Sequence, residues 1–236
     1  MKMNKIIRVV ILILLSQNFY AQEKGPRIYS SDIDEFIFYR YQTAYKIKAT
    51  KDFKTIKNEF PEDLMQSIIS CSNEEWEIFN TLGGKNNAQI NDSDYYEAIK
   101  KMDVERNYFE LKHKIEFEID QIPTAIIKFY FINQYTPQPE AGIIVMQKYN
   151  NRWYKTSTKM VASIAMIILK FKTDELEKII NGNVNSPELL QIHKKVFTKD
   201  KLDFNKLQQE MDSWYIEETK ENILKKQYFK DPNSIL

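Results

Sequence analysis

The 236-residue sequence has a single cysteine, Cys71, and only two histidines, His113 and His193. One cysteine excludes an intramolecular disulfide, so an ordinary packed core must stabilise the fold. Two histidines and one cysteine, without a His-x-x-x-His spacing, argue against a transition-metal site. Cys71 lies in an apolar stretch with helical periodicity, which favours a buried structural thiol over a reactive one.

Glycine is also scarce, with five residues in the whole chain. The sequence contains no glycine-rich phosphate-binding loop and no Gly-x-Ser-x-Gly motif around a serine nucleophile. Asp92 and Asp94 are close together, but they do not belong to an Asp-x-Asp-x-Asp-Gly calcium loop. The sequence therefore predicts no metal and no cofactor, and it contains no recognisable catalytic motif.

The N-terminal apolar run, residues 9–15, is too short to span a bilayer, which takes about 20 residues. Three basic residues precede it, and a polar stretch that ends at Ala21 follows it. This order is typical of a cleavable secretory signal peptide, with an uncleaved anchor as the alternative. The ending Phe-Tyr-Ala-Gln resembles signal peptides of Bacteroidota-type bacteria. We therefore expect a soluble periplasmic or secreted protein that begins near Gln22, without a lipid anchor because no cysteine lies at the cut.

Neither sign of charge dominates, and acidic and basic residues alternate along the chain. The formal net charge of +1 becomes −2 when residues 1–21, with three basic and no acidic residues, are removed. Phosphate binding relies on clustered cations. The sequence therefore argues against nucleic acid as a partner.

Helical periodicity covers the first part of the mature chain, after a polar segment, 22–31, that we interpret as a linker. From Asp32, apolar residues at three- and four-residue steps predict an amphipathic helix with Ser31 as its N-cap. Further helices are predicted at 52–60, from Pro61, and at 94–102. A capping box of Ser72 and Glu75 predicts another helix that buries Trp76 and Phe79.

The period changes to two residues between 109 and 120, where apolar and charged residues strictly alternate. This pattern predicts a strand with one buried and one solvent-facing side. Three more strands are predicted at 124–134, 141–149 and 152–158. The turns between them are predicted at Pro123, at Pro137 and Pro139, and at Asn150-Asn151, where asparagine tolerates positive φ. The four strands would form an antiparallel meander.

Helical periodicity returns after Lys159, with predicted helices at 161–171, from Ser186-Pro187, and at about 203–229. Helices, then a meander, then helices predict the α+β fold class. We expect N-terminal helices packed on a curved, cone-like sheet in a domain of residues 32–159. Residues 160–236 would form a C-terminal helical extension on or next to that domain.

Residues 32–158 resemble the NTF2-like (cystatin-like) α+β superfamily. The resemblance rests on the predicted opening helix, the helical run across Phe60-Pro61 and the predicted curved sheet. Residues 143–155, a strand, a tight turn and a Trp-containing strand, are the most similar to the family. The turn departs from it, because family members commonly carry glycine where this chain has Asn150-Asn151. The resemblance implies a pocket between sheet and helices, which some members use for acid–base catalysis and many only for binding or association.

His113 is the most informative candidate residue, because the alternation places it on the apolar face between Leu111 and Ile115. A histidine in a pocket can act as a general base. No carboxylate is placed beside it by the sequence, which favours a hydrogen-bonded core histidine. Tyr130, Tyr149 and Trp153 complete the candidate pocket.

Three hypotheses about function follow from these patterns. The preferred one is an exported, non-enzymatic binding or interaction module for an unknown small molecule or protein partner. The second is a hydrolase, isomerase or dehydratase that uses His113. The third is an assembly subunit, for example of a homodimer, that pairs through its C-terminal helices.

Overall fold

The computed structural model describes residues 36–41, 45–156, 165, 168–169, 171–185 and 187–196, and the backbone of residues 22–28. The predicted signal peptide and the predicted helix at 203–229 lie outside these residues. Most of the predicted helix at 161–171 lies outside them as well.

An antiparallel sheet of seven strands forms the centre of the described structure, in the order β1-β2-β4-β5-β6-β7, with β3 also paired to β4. The strands are β1 Gln22–Ile28, β2 Phe36–Tyr41, β3 Lys46–Lys48, β4 Tyr108–Ile119, β5 Ile122–Ile132, β6 Glu140–Tyr149 and β7 Arg152–Lys155. The helices are α1 Pro61–Ile69, α2 Glu74–Asn80, α3 Ser93–Lys100, α4 Thr173–Ile180 and α5 Pro187–Val196. An antiparallel sheet combined with these helices confirms the α+β class.

The prediction of a helix from Asp32 is wrong where the structure describes this segment. Phe36–Tyr41 form β2, which pairs with β4 so that Phe36 lies opposite Phe117 and Phe38 opposite Ile115. Phe38 does not fit the helical stripe, but it is buried on the same side of the strand as Phe36. Aromatic and β-branched residues favour strands. The adjacent strand β1 occupies most of the segment interpreted as a linker.

Two tight turns join the long strands, and both place non-glycine residues at positive φ. Asn150 and Asn151 have φ of 48° and 62°, which confirms the predicted turn between β6 and β7. Asp120 and Gln121 have φ of 50° and 66° and form the turn between β4 and β5. Turns with two positive φ values match the twist of a hairpin. The predicted turn at Pro123 is therefore wrong, because Pro123 lies within β5 opposite Glu118.

A bulge in the middle of β4 changes which side of the sheet its residues face. Leu111 pairs with Phe129, and His113 pairs with Lys128, so Lys112 is the extra residue. Because paired residues share a face, an extra residue reverses the alternation beyond it. The prediction of one buried and one solvent-facing side is therefore wrong, and Lys114 is buried.

Helices cover both faces of the sheet. On one face, which we call the N-terminal layer, Leu64, Met65 and Ile69 of α1 pack with residues of β4 to β7. On the other face, which we call the C-terminal layer, strands β2, β4 and β5 pack with residues between 165 and 189. The buried residues of this layer are Phe36, Phe38, Ile115, Phe117, Ile119, Ile126, Ala165, Ile168, Phe171, Leu176, Ile179, Ile180 and Leu189. The bulge lets β4 contribute to both cores.

Side-chain caps fix the start of the N-terminal helices. Pro61 begins α1, and the Asp63 carboxylate accepts a hydrogen bond of 3.0 Å from the backbone N–H of Phe60. Asn73 caps α2 by accepting from the N–H of Trp76 at 2.8 Å. The predicted cap at Ser72 is therefore one residue early, and asparagine serves as well as serine in this role. Only a single 3-10 turn, Phe53–Thr55, occupies the predicted helix at 52–60.

Candidate functional site

An apolar cavity of about 330 Å³ opens on the N-terminal layer, between α1, α3 and strands β4 to β6. Three phenylalanines form much of its lining; the full set of residues is Ile68, Ile69, Tyr95, Ile99, Met102, Phe109, Phe129, Phe131, Glu140, Ala141 and Gly142. We call this cavity the apolar pocket. Among the described residues, Glu140 is the only charged one that lines it.

Helix α3 supplies one wall of the apolar pocket. Its N-cap, Asp92, accepts a hydrogen bond of 2.8 Å from the N–H of Tyr95. Tyr96 is buried in a separate small cluster with Trp76, which fixes the helix on the protein. Tyr95 and Ile99 then line the pocket, while Ala98 is exposed on another side of the same helix.

Small residues on β6 leave room for the aromatic side chains on the opposite wall. A Cβ atom added at Gly142 would lie 2.5 Å from Cζ of Phe129, so only glycine fits there without moving the ring. Phe129 in turn packs on Phe109, with ring centroids 4.4 Å apart, and Phe109 packs on Phe131 at 5.6 Å. The aromatic wall is thus continuous across β4 and β5.

A second cavity, of about 750 Å³, is larger and more polar. It lies between β6 and the segment after α2, with Thr81, Leu82 and Lys155 among its lining residues. The ammonium of Lys155 already binds Glu77, and Asn87 donates to the carbonyl of Leu82. Lys155, Asn87 and Thr81 of this lining therefore already have partners within the protein.

His113 lies in the C-terminal layer, where it is 1% exposed. Its Nε2 is 2.8 Å from Oε1 of Glu177 on α4, and its ring packs 4.9 Å from that of Phe38. Burial lowers the pKa of His113, and the hydrogen bond to Glu177 only partly opposes this effect. The neutral imidazole therefore donates from Nε2 to Glu177, and Nδ1 is buried without a described partner. Arg40 also contacts Glu177 at 3.3 Å.

The four candidate pocket residues are not brought together. Trp153 belongs to the N-terminal layer, on the opposite face of the sheet from His113. Tyr130 is half-buried beside Lys112, whose Nζ is 4.8 Å from the ring centre. Tyr149 is half-buried at the end of β6, opposite Arg152. None of the four lines either cavity described above.

A buried ion pair joins α1 to β4 in the N-terminal layer. The Lys114 ammonium lies 2.9 Å from Oε1 of Glu62 and 2.8 Å from Oε1 of Glu116. Tyr41 donates a hydrogen bond of 2.5 Å to the same oxygen of Glu62. Burial and the nearby Glu62 raise the pKa of Tyr41, so its hydroxyl stays protonated. We call Glu62, Lys114 and Tyr41 the buried charge cluster.

Cys71 is a buried thiol. It is 3% exposed, and its Sγ donates to Oε2 of Glu77 at 3.4 Å. Burial, and then the neighbouring Glu77, raise its pKa to about 12. Because the thiolate is the nucleophile, this cysteine is suited to packing rather than to covalent chemistry.

The described residues contain no group of three or more His, Cys, Asp or Glu side chains arranged to hold a metal ion. Within the same part of the chain, every helix is too short or too polar to cross a membrane. Compared with known proteins, the chain matches no family model, no curated protein and no solved structure.

Proposed function

We propose that this chain is an exported protein that binds a small, mainly apolar ligand in the apolar pocket. The pocket is the observation that carries the proposal. Its volume of about 330 Å³ is in the lower part of the usual range for ligand sites, roughly 300–1,000 Å³. Its aromatic and aliphatic lining, with one charged group, is also the usual composition of such a site.

Binding fits this pocket better than catalysis does. Glu140 and the Tyr95 hydroxyl are the titratable side-chain groups on its lining, and neither is hydrogen-bonded to a described second group that would form a catalytic pair. His113, the candidate base, is buried in the other layer and donates to Glu177. A non-enzymatic binding module therefore explains the described residues with the fewest assumptions.

An NTF2-like relationship is part of the proposal. A pocket between helices and a sheet is what that resemblance implies. Strand β2, which stands where the opening helix is predicted, gives it no support.

Filling the pocket is expected to weaken the binding of a neutral apolar probe. N-phenyl-1-naphthylamine should bind the purified protein with increased fluorescence. Ile99→Trp adds an indole to the pocket wall from α3, and we expect it to weaken binding at least about tenfold, a change of about 1.4 kcal/mol. The measurement is a fluorescence titration at constant protein concentration.

Ala98→Trp is the matched control for this experiment. It adds a larger side chain to the same helix at an exposed position that does not line the pocket. We expect it to bind the probe like the unaltered protein. Equal affinity in Ile99→Trp and Ala98→Trp would place the probe elsewhere and contradict the proposal.

Export makes a separate prediction about the N-terminus. The basic, apolar and small-residue order of residues 1–21 is that of a signal removed by a peptidase. When all 236 residues are expressed in a bacterial host with an export pathway, the protein should be recovered outside the cytoplasm with Gln22 as its first residue. Mass spectrometry of the intact protein checks this, and recovery in the cytoplasm with residues 1–21 attached would contradict it.

A further inference from the structure

We infer that the ligand of the apolar pocket is a small amphiphile with a protonated amine at one end, bound by Glu140. This inference rests on the proposed function and adds the chemical class of the ligand. Two features of the pocket carry it, a carboxylate without a partner among the described residues and a group of aromatic rings beside that carboxylate.

Glu140 is the first residue of β6, and it is half-buried on the pocket lining. Among the described residues, none forms a hydrogen bond or an ion pair with its carboxylate. Every other described carboxylate of similar or greater burial has a partner. The pairs are Glu62 and Glu116 with Lys114, Glu77 with Lys155, Glu110 with Lys112, Glu175 with Lys178, Glu177 with His113, and Asp63 with the backbone N–H of Phe60. Glu140 is therefore the carboxylate that a ligand can reach and neutralise.

Aromatic rings flank this carboxylate. Glu140 pairs directly with Phe131 across the sheet, so their side chains are neighbours on the same face. Phe131, Phe109 and Phe129 form the continuous aromatic wall, and Tyr95 faces them from α3. An ammonium group is attracted to the faces of such rings as well as to a carboxylate. The combination is therefore suited to an organic cation.

Electrostatics favours this ligand class over the two alternatives of similar size. A neutral apolar ligand would cover Glu140 and leave its charge without a partner, which costs free energy. An anionic ligand would add repulsion between like charges. A protonated amine replaces the lost water with a charge-assisted hydrogen bond, while its alkyl chain fills the apolar part.

The test compares three ligands with the same eight-carbon chain, namely octylamine, octanol and octanoate. Each competes with N-phenyl-1-naphthylamine at pH 7, where the amine is protonated. We expect octylamine to bind about tenfold more tightly than either of the others, the scale of one hydrogen bond to a charged group. In the Glu140→Gln variant, octylamine and octanol should bind with about equal affinity, and the affinity for octanol should be unchanged.

Glu118→Gln is the matched control, because Glu118 is exposed on β4 and does not line the pocket. It removes the same charge and should keep the tenfold preference. Equal binding of the three ligands, all abolished by Ile99→Trp, would overturn the amine inference while the binding function stands. Absence of binding by all three, and by the probe, would overturn both. A preference for octylamine that survives Glu140→Gln would also overturn the inference.

Discussion

Replacing Lys114 with methionine is expected to lower the free energy of unfolding by about 3–5 kcal/mol. Lys114 and Glu62 are both almost fully buried, with side chains 4% and 5% exposed. Methionine leaves the buried Glu62 carboxylate without its cation, and within the described part of the chain the Tyr41 hydroxyl is then its one remaining hydrogen-bond donor. The loss should appear in urea denaturation at pH 7 as a lower midpoint with an unchanged slope.

Two further variants separate this effect from a general loss of packing. Replacing both Glu62 and Lys114 with methionine removes the two buried charges together and leaves Glu116, whose side chain is 31% exposed, in contact with solvent. This variant should recover most of the stability, because an apolar pair often replaces a buried ion pair at little cost. Lys48→Met breaks an exposed pair with Glu105 and should change stability by about 0–1 kcal/mol. If Lys114→Met unfolds at the same urea concentration as Lys48→Met, the ion pair between Lys114 and Glu62 does not stabilise the fold.

Acidification below neutral pH is expected to destabilise the protein through His113. The folded pKa of His113 is lowered, mainly by burial, from the usual value of 6.5. Above 6.5 the imidazole is neutral in both states, so it gives no pH dependence. As the pH falls below 6.5, the unfolded chain takes up a proton that the folded chain does not, and stability decreases. The decrease continues until the pH reaches the folded pKa.

In the part of the chain that the structure describes, the charged groups that face His113 belong to other elements. They are Arg40 on β2, Lys128 on β5 and Glu177 on α4, and the two cations lower the pKa of His113 further. His113→Gln keeps a side chain that can donate to Glu177, but it does not titrate. We therefore expect this variant to lose less stability between pH 7 and pH 5 than the unaltered protein, as measured by urea denaturation at each pH. Equal losses would contradict the prediction.

Glu177 affects the pH dependence of stability at lower pH than His113 does. The hydrogen bond from His113 lowers the pKa of Glu177 below the usual 4.5, so its contribution is present above that value and is lost as the pH falls through the folded pKa. Burial is the main cause of the raised pKa of Asp63. Its contribution to the pH dependence of stability therefore has the opposite sign to that of Glu177 in this acidic range. The range between pH 7 and pH 5 is therefore the one in which His113 is best isolated.

The sequence predicts those elements whose signal is local. The turn at Asn150-Asn151 and the helix that begins at Pro61 depend on residues adjacent in the chain, and both are present. Phe36–Tyr41 shows the limit of periodicity, because a short apolar segment buried on both faces satisfies a helical and a strand pattern equally. Pairing with β4 decides between them, and the paired residues are 73 positions apart for Arg40 and His113 and 81 apart for Phe36 and Phe117.

The candidate site depends on contacts that no local pattern records. Glu177 is 64 residues from His113, and Glu62 is 52 residues from Lys114. The apolar pocket likewise combines a face of α3 with three strands. Alternation predicts that Phe109 faces inward, but it cannot predict that α3 leaves a space above it. The bulge at Lys112 has no signal in the strict alternation of β4, and it places His113 and Leu111 on opposite faces.

The sheet is covered on both faces, and the two covering layers are synthesised at different times. The seven described strands are complete at Lys155, whereas the described residues that cover the C-terminal layer lie between 165 and 189. A nascent chain that ends near Lys159 therefore carries an uncovered face that includes Phe36, Phe38 and Ile126. Such a face is prone to aggregate. We therefore expect a chaperone, or a delay in sheet formation, to protect this face until α4 has emerged from the ribosome.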